Sequence, residues 1–249
     1  MLVGTVPYDL YRLENLEVYR CHNCDLTGYL PFPEGSLVKM KELILHNNKL
    51  NGGLPLKALS QMRSLQKLEV DNNRFVGNLP DTLPKTLQHL NLANNFFTGT
   101  IPKSYGQLVN LKVGRLEHNR LTGELPGIFE NMQELELFSV HDNFLSEVNP
   151  GFSGGKNTWP VGIDAGRSKR GDGVIVLYNN DFDKEAMKQL TIHDHRTYKT
   201  CGTMNDFFIA VLRDAGWMNT QSDYYHAAYG KCTGKEARKL LDRKSTRLN

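Results

Sequence analysis

The sequence predicts an α/β solenoid with a parallel sheet along its concave side and a short helical cap region after it. A pattern of the form L-x-x-L-x-V-x-x-N-x-F-x-G-x-L-P, as at 65–80, recurs through the first three-fifths of the chain. The alternation of period two within each pattern favours a short strand, and apolar residues about three apart after each proline favour a 3₁₀ turn or short helix. Recurrence of this kind is the signature of stacked repeats.

The asparagine of the pattern marks each repeat. The markers are Cys24, Asn48, Asn73, Asn95, Asn119 and Asn143, with spacings of 24, 25, 22, 24 and 24 residues. An inward amide both donates and accepts hydrogen bonds, so it can satisfy turn backbone groups that would otherwise be buried unpaired. We therefore predict a structural ladder of these side chains, with Cys24 as a small buried substitute. Asn180 would extend the ladder in a degenerate seventh repeat at 175–182.

The segment after each marker resembles the plant-type class of leucine-rich repeats, which reads L-x-G-x-[IL]-P. The segments that carry the resemblance are Leu26-Thr27-Gly28-Tyr29-Leu30-Pro31, Leu50-Asn51-Gly52-Gly53-Leu54-Pro55, Phe97-Thr98-Gly99-Thr100-Ile101-Pro102 and Leu121-Thr122-Gly123-Glu124-Leu125-Pro126. The sixth repeat departs from the pattern, because 145–150 lacks the glycine and inserts Asn149. The resemblance implies a right-handed horseshoe, as in the ectodomains of receptor-like kinases and receptor-like proteins.

We divide the chain into four parts. Residues 1–150 hold the repeats, starting inside one repeat and continuing with six more, and 151–182 hold a Gly-rich insertion and the degenerate seventh repeat. Helix-start signals such as Asp183 and the capping box Thr233-Gly234-Lys235-Glu236 predict a helical cap over 183–241, with a separate truncated domain as the alternative. Residues 242–249 match the translation of a common sequencing adapter, so we expect an artefact there and exclude it from fold reasoning.

The net charge and the lengths of the apolar runs bear on whether nucleic acid or a membrane is a partner. Without 242–249, which carry three basic and one acidic residue, the formal net charge falls from +3 to +1. Such a charge gives no reason to expect nucleic acid as a partner. The longest apolar run, 207–212, is far shorter than the roughly 20 residues of a membrane-spanning helix. We therefore expect no membrane segment in this chain, and the sequence leaves its oligomeric state open.

The strand positions that face outward, which we call the concave face, are predicted to bind the ligand. Scaffold positions are fixed by the repeat, so recognition falls to the positions that it leaves free. The predicted binding residues are Arg20, His22, Ile44, His46, Gln66, Lys67, Glu69, Asp71, Asn91, Arg115, Glu117, Ser139 and His141. Mixed charge without a large aromatic patch indicates recognition of a protein or peptide.

Two histidines on neighbouring strands, His22 and His46, come close enough to suggest a shared metal or a pH sensor, because strands lie about 4.8 Å apart. The plainer interpretation, which we favour, is an exposed column that tolerates polar residues. His193, His195 and His226 raise a zinc or enzyme alternative, yet no ligand spacing, phosphate loop or nucleophile motif accompanies them. We expect no metal, no cofactor and no catalytic residue.

The four cysteines fall into two pairs by position. Cys21 and Cys24 occupy inward repeat positions and are predicted to be core thiols, with a metal site as the minor alternative. Cys201 and Cys232 flank a predicted helix, and a disulfide between them is plausible if the protein is secreted. The resemblance implies an extracellular or cell-surface location. The lack of an N-x-[ST] sequon keeps an intracellular location open.

Non-covalent recognition by the concave face is therefore the predicted function, with the sensing part of a receptor-like protein as one setting for it. The alternative is the recognition segment of a larger enzyme, such as a receptor-like kinase, whose catalytic domain lies outside this sequence. Fold alone does not choose between them, because one fold hosts many functions.

Overall fold

The computed structural model describes residues 4–132, 134–149, 174–176 and 180–182, and at 130 and 174–176 it describes the backbone alone. The predicted cap over 183–241, most of the Gly-rich insertion, the Cys201–Cys232 bridge and the tail at 242–249 lie outside these residues. The chain forms a leucine-rich repeat solenoid of parallel sheets with few helices, as the sequence predicts.

Seven parallel strands form the concave sheet. They are β2 (Val18–Arg20), β4 (Glu42–Ile44), β6 (Lys67–Glu69), β8 (His89–Asn91), β10 (Val113–Arg115), β12 (Leu137–Ser139) and β14 (Val174–Val176). Each strand pairs with its neighbours in the same register, so that Arg20, Ile44 and Glu69 lie side by side. Equivalent positions of successive repeats therefore form columns across the sheet.

A second set of parallel strands, which was not predicted from the sequence, comes after the concave strands. One sheet contains β1 (Gly4–Thr5), β3 (Leu26–Gly28), β5 (Lys49–Gly52), β7 (Arg74–Asn78) and β9 (Phe96–Thr98), and a smaller one contains β11 (Thr122–Leu125) and β13 (Phe144–Val148). These strands hold the L-x-G segments. The glycines of these segments have a positive φ, +79° at Gly28 for example, which is a conformation that favours glycine.

Short helices complete four of the turns. They are three 3₁₀ helices at Tyr8–Arg12, Lys103–Gln107 and Phe129–Asn131 and the α-helix α1 (Leu56–Gln61). Each begins directly after the proline of its repeat or lies within a few residues of it. The helical segments bury apolar side chains such as Leu59, Tyr105 and Phe129. The period of three residues after the proline predicted these elements.

The core runs the length of the solenoid between the sheets and the helices. The central strand residues Leu43, Leu68 and Leu90 are fully buried. Gly114 takes the same position in β10, where an added Cβ would lie 2.7 Å from the ring of Phe138 in the next repeat. A large side chain on one strand thus fills the space that a missing side chain leaves on its neighbour.

Candidate functional site

The asparagines of the repeat build the scaffold beneath the concave face. Asn95 donates through Nδ2 to Val70 O (3.1 Å) in the preceding repeat and to Leu92 O (3.2 Å) in its own, and its Oδ1 accepts from Phe75 N at 3.0 Å. Equivalent bonds surround Asn48, Asn73, Asn119 and Asn143. Each amide therefore ties two consecutive turns together.

Asn180 takes the same position one turn later. Its Nδ2 donates to Val140 O at 3.0 Å, and its Oδ1 accepts from Leu145 N at 3.0 Å. The strand β14, which begins six residues earlier, pairs with β12. The stack of turns therefore continues beyond Asn143 to Asn180.

The first turn departs from the sequence prediction. Cys21 and Cys24 form a disulfide, so the prediction of two core thiols is wrong. Both residues are partly buried and pack against the hydrophobic core. Asn48 Oδ1 accepts from Cys24 N at 3.1 Å. The disulfide fixes the corner that a ladder amide fixes elsewhere.

Side chains of the concave face form ion pairs with one another, and several of them are buried. Arg20 and Glu42 form an ion pair across neighbouring strands, and Lys67 pairs with Glu69 at 3.0 Å within one strand. Of the predicted binding residues, Ile44, Glu117, Ser139 and His141 are buried, and so is the neighbouring Ala93. Part of the outward-facing surface is therefore buried rather than open to solvent.

A further column of the concave sheet was missed. The residue two before the central outward position shares the column of Lys67, and the other members of this column are Val18, Glu42, His89, Val113 and Leu137. Burial, and then the nearby Lys67, lowers the pKa of His89. The period of two within each strand was the signal that could have identified this column.

The residue before each of the first six markers adopts a left-handed conformation. Its φ lies between 52° and 56° at Asn23, Asn47, Asn72, Asn94, His118 and Asp142. Asparagine and aspartate tolerate this conformation best among residues with a side chain, so the run of Asn before the marker was a readable signal. Two successive turns depart from asparagine here, and they place His118 and Asp142 at the edge of the concave face.

Histidine pairs occupy both ends of the concave face. The rings of His22 and His46 are stacked, with centroids 4.7 Å apart and planes 11° apart. Those of His118 and His141 meet edge to face at 5.0 Å. At the second pair His141 Nδ1 lies 2.5 Å from Asp142 Oδ2, and burial is the main cause that lowers the pKa of His118.

Asp71 lies in the same column as His22 and His46. Burial raises the pKa of Asp71, and the neighbouring His46 opposes that rise. Its Oδ2 accepts from Asn72 Nδ2 at 2.7 Å. The central part of the concave face therefore presents a carboxylate whose charge is poorly solvated, which is a suitable partner for an incoming cationic group.

The class of protein is evident from this geometry and from sequence comparison. The profile of the Leucine Rich Repeat family matches residues 64–85 and 86–108. The chain has the fold and the repeat pattern of plant-type leucine-rich repeat proteins. In the described part of the chain, no helix is long and apolar enough to cross a membrane.

In sequence, the chain is similar to receptor-like kinases and receptor-like proteins of plants. The chain is 36% identical over 137 residues to Pollen receptor-like kinase 2 of Arabidopsis thaliana, which covers 50% of this chain and 18% of the relative. It is 33% identical over 152 residues to Receptor-like protein 39 of Arabidopsis thaliana, covering 60% of this chain and 15% of the relative. The chain thus spans less than a fifth of either curated relative.

A solved structure shares the fold. It is the ectodomain of the Arabidopsis receptor kinase HAESA in complex with an IDA peptide hormone ligand, with a TM-score of 0.60 and 25% identity. The match covers 72% of this chain and 28% of that chain.

Proposed function

We propose that this chain is the recognition part of a plant receptor and binds a peptide or a protein segment on its concave face, without catalysis. The observation that carries the proposal is the set of in-register columns of charged and polar side chains across the concave sheet. The similarity to a receptor ectodomain that holds a peptide hormone supports it.

The dimensions of the sheet suit a short extended peptide. From β2 to β12 the sheet has five strand spacings, about 24 Å in all at roughly 4.8 Å each. An extended chain rises about 3.3 Å per residue, so about seven residues would cross these strands. Arg20 and Arg115 lie toward the two ends of this path, and Glu69 and Asp71 lie between them. A ligand with an acidic group near each end and a basic group in the middle would be complementary in charge.

A location outside the cell is part of the same proposal. Disulfides persist in oxidising compartments and are rare in the cytosol, and the Cys21–Cys24 disulfide suits the former. The similar solved structure also supports an extracellular location, because it is the ectodomain of the receptor kinase HAESA.

The second candidate is the recognition segment of a receptor-like kinase. The 36% identity to Pollen receptor-like kinase 2 favours it over an unrelated enzyme. Both candidates give the concave face the same role, and they differ only in whether the full-length protein also contains a kinase domain. The full-length transcript separates them, since a kinase domain either accompanies these repeats or does not.

The test is a displayed library of random peptides selected on the wild-type chain. Binding of the selected peptides is then measured by fluorescence anisotropy for Glu69→Lys and Arg115→Glu. We expect each charge reversal to weaken binding by at least about tenfold, since placing like charges together opposes association. The control is Lys57→Glu on α1, whose side chain is 81% exposed and lies away from the concave strands.

Two results would count against the proposal. One is a set of selected peptides whose affinities are unchanged in both concave variants. The other is a selection in which Lys57→Glu weakens binding as much as the concave variants do, because that would place recognition on the helical side.

A further inference from the structure

Three side chains that can bind a metal converge at one corner of the concave sheet. His118 and His141 belong to successive turns, and Asp142 comes directly after His141. Their turns are joined by the backbone bond from His118 N to His141 O, 3.1 Å long. Each of the three residues offers one possible ligand atom, and these three atoms all lie within 4.8 Å of one another.

The distances suit a tetrahedral transition-metal ion. Metal–ligand bonds of about 2.0–2.1 Å at tetrahedral angles place two ligand atoms about 3.3 Å apart. His118 Nδ1 and Asp142 Oδ2 are 3.4 Å apart. His141 Nδ1 and Asp142 Oδ2, at 2.5 Å, share a hydrogen bond that would open by about 1 Å to admit an ion. The required movement is small.

A fourth residue provides a separate indication of a missing cation. Glu117 is 3% exposed, and its Oε2 is buried without a hydrogen-bond partner. Its Oε1 accepts from Arg115 Nε at 2.8 Å. A buried carboxylate oxygen without a partner is costly, and a bound ion is one of the groups that can satisfy it. Glu117 precedes His118 and lies in the column of His141, so it belongs to the same corner.

We propose that His118, His141 and Asp142 bind a divalent transition-metal ion, Zn²⁺ in the first instance, beside the carboxylate of Glu117. Two imidazoles and a carboxylate form a common donor set for this ion, and the fourth position stays open to water or to a ligand group. The carboxylate of Asp142 would offset part of the charge of the ion. No metal was predicted from the sequence because two of these ligands lie outside the predicted columns.

The site shares His141 and Glu117 with the predicted concave face, but metal binding there does not require a bound peptide. An open coordination position there would be available to a carboxylate or imidazole of a bound molecule. The other histidine pair differs. His22 and His46 stack on each other, and they are not part of any such group of three ligands among the described residues. They therefore provide a matched control on the same sheet.

The experiment titrates Zn²⁺ alone into the full chain, after chelator treatment, by isothermal titration calorimetry near neutral pH. It compares wild type with His118→Gln, which removes an exposed ligand, and with His22→Gln. We expect His118→Gln to lose one equivalent of Zn²⁺ or to bind it at least about tenfold more weakly. We expect His22→Gln to match wild type.

The difference between variants assigns the site, because cysteines and histidines elsewhere in the chain can bind Zn²⁺ as well. Glu117→Gln is expected to weaken the same equivalent, and circular dichroism checks that each variant is folded. With Co²⁺ in place of Zn²⁺, visible absorption typical of four-coordinate cobalt should appear in wild type and fall in His118→Gln. Equal stoichiometry and affinity for wild type and His118→Gln, or a loss in His22→Gln instead, would overturn the proposal.

Discussion

The interior of the solenoid and its concave face use the same repeat in opposite ways. Inside, the same residue type recurs from the second turn onward and makes the same bonds, as Asn73, Asn95 and Asn119 do. On the concave face, equivalent positions hold residues as different as Arg20, Ile44 and Glu69. Packing against the next turn determines the residue types in the interior. The residue types on the concave face are not constrained in this way, so they can suit a ligand.

The difference implies that substitutions should separate cleanly into two classes. Interior changes should reduce stability, because each turn is stabilised through its nearest neighbours. Changes on the concave face should alter binding and leave stability nearly unchanged. Four substitutions test this separation, beginning with the largest expected effect.

Replacing Asn95 with alanine removes four hydrogen bonds and leaves buried backbone groups without partners. We expect it to lower the free energy of unfolding by about 3 kcal/mol. The matched control is Asn91→Ala, the same residue type on the concave face of the same repeat, which should cost less than about 1 kcal/mol. Urea denaturation followed by circular dichroism measures both, and equal losses would contradict the separation.

Replacing Gly114 with alanine places a Cβ 2.7 Å from the ring of Phe138. We expect a loss of about 2 kcal/mol, the usual cost of overpacking a core. The double variant Gly114→Ala with Phe138→Leu should lose less stability than the sum of the two single variants, because the smaller leucine leaves room for the added Cβ. Additive losses in thermal or urea unfolding would show that the two positions do not share it.

Replacing both Cys21 and Cys24 with alanine removes the disulfide of the first turn. Because the closed loop is very short, we expect a loss of about 2 kcal/mol. The loss should be local, so hydrogen exchange should speed up at Leu26 and remain unchanged at Leu121. Faster exchange at both amides would mean that the turns unfold as one unit.

The smallest effect is expected at Asp71, where burial raises the carboxyl pKa in the folded state. A raised acid pKa means that the folded protein favours the protonated form, so ionisation destabilises it as the pH rises through that range. Asp71→Asn should therefore be more stable than wild type at neutral pH, and the difference should shrink in acid. Thermal unfolding at the two pH values checks the sign, and a variant less stable at neutral pH would contradict it.

The repeat made the scaffold predictable from sequence. The marker positions and the alternation in 67–69 result from the need to satisfy buried amides and to bury leucines, and both needs are local. The Cys21–Cys24 disulfide was not predictable in this way, because C-x-x-C spacing also results from the repeat itself. The fit of Gly114 to Phe138 depends on the neighbouring turn, which no pattern within one repeat contains.

The candidate site was predictable only in outline. Outward columns result from the period of two, and Glu69 and Arg115 were found that way. Burial of Glu117 and His141 depends on the side chains around them in three dimensions. His118 and Asp142 are left-handed residues at the same position of adjacent turns, which brings them together. The residue spacing within a single turn does not predict this contact.

The central claim, that recognition belongs to the concave face and scaffolding to the interior, is tested most directly by mapping a bound peptide. A peptide selected on the wild-type chain would be added to isotope-labelled protein, and changes in amide chemical shift would be recorded. We predict the largest changes along β4, β6, β8 and β10, with little change in α1 or in the helix at Lys103–Gln107. Changes centred on those helices, with the concave strands unaffected, would contradict the account.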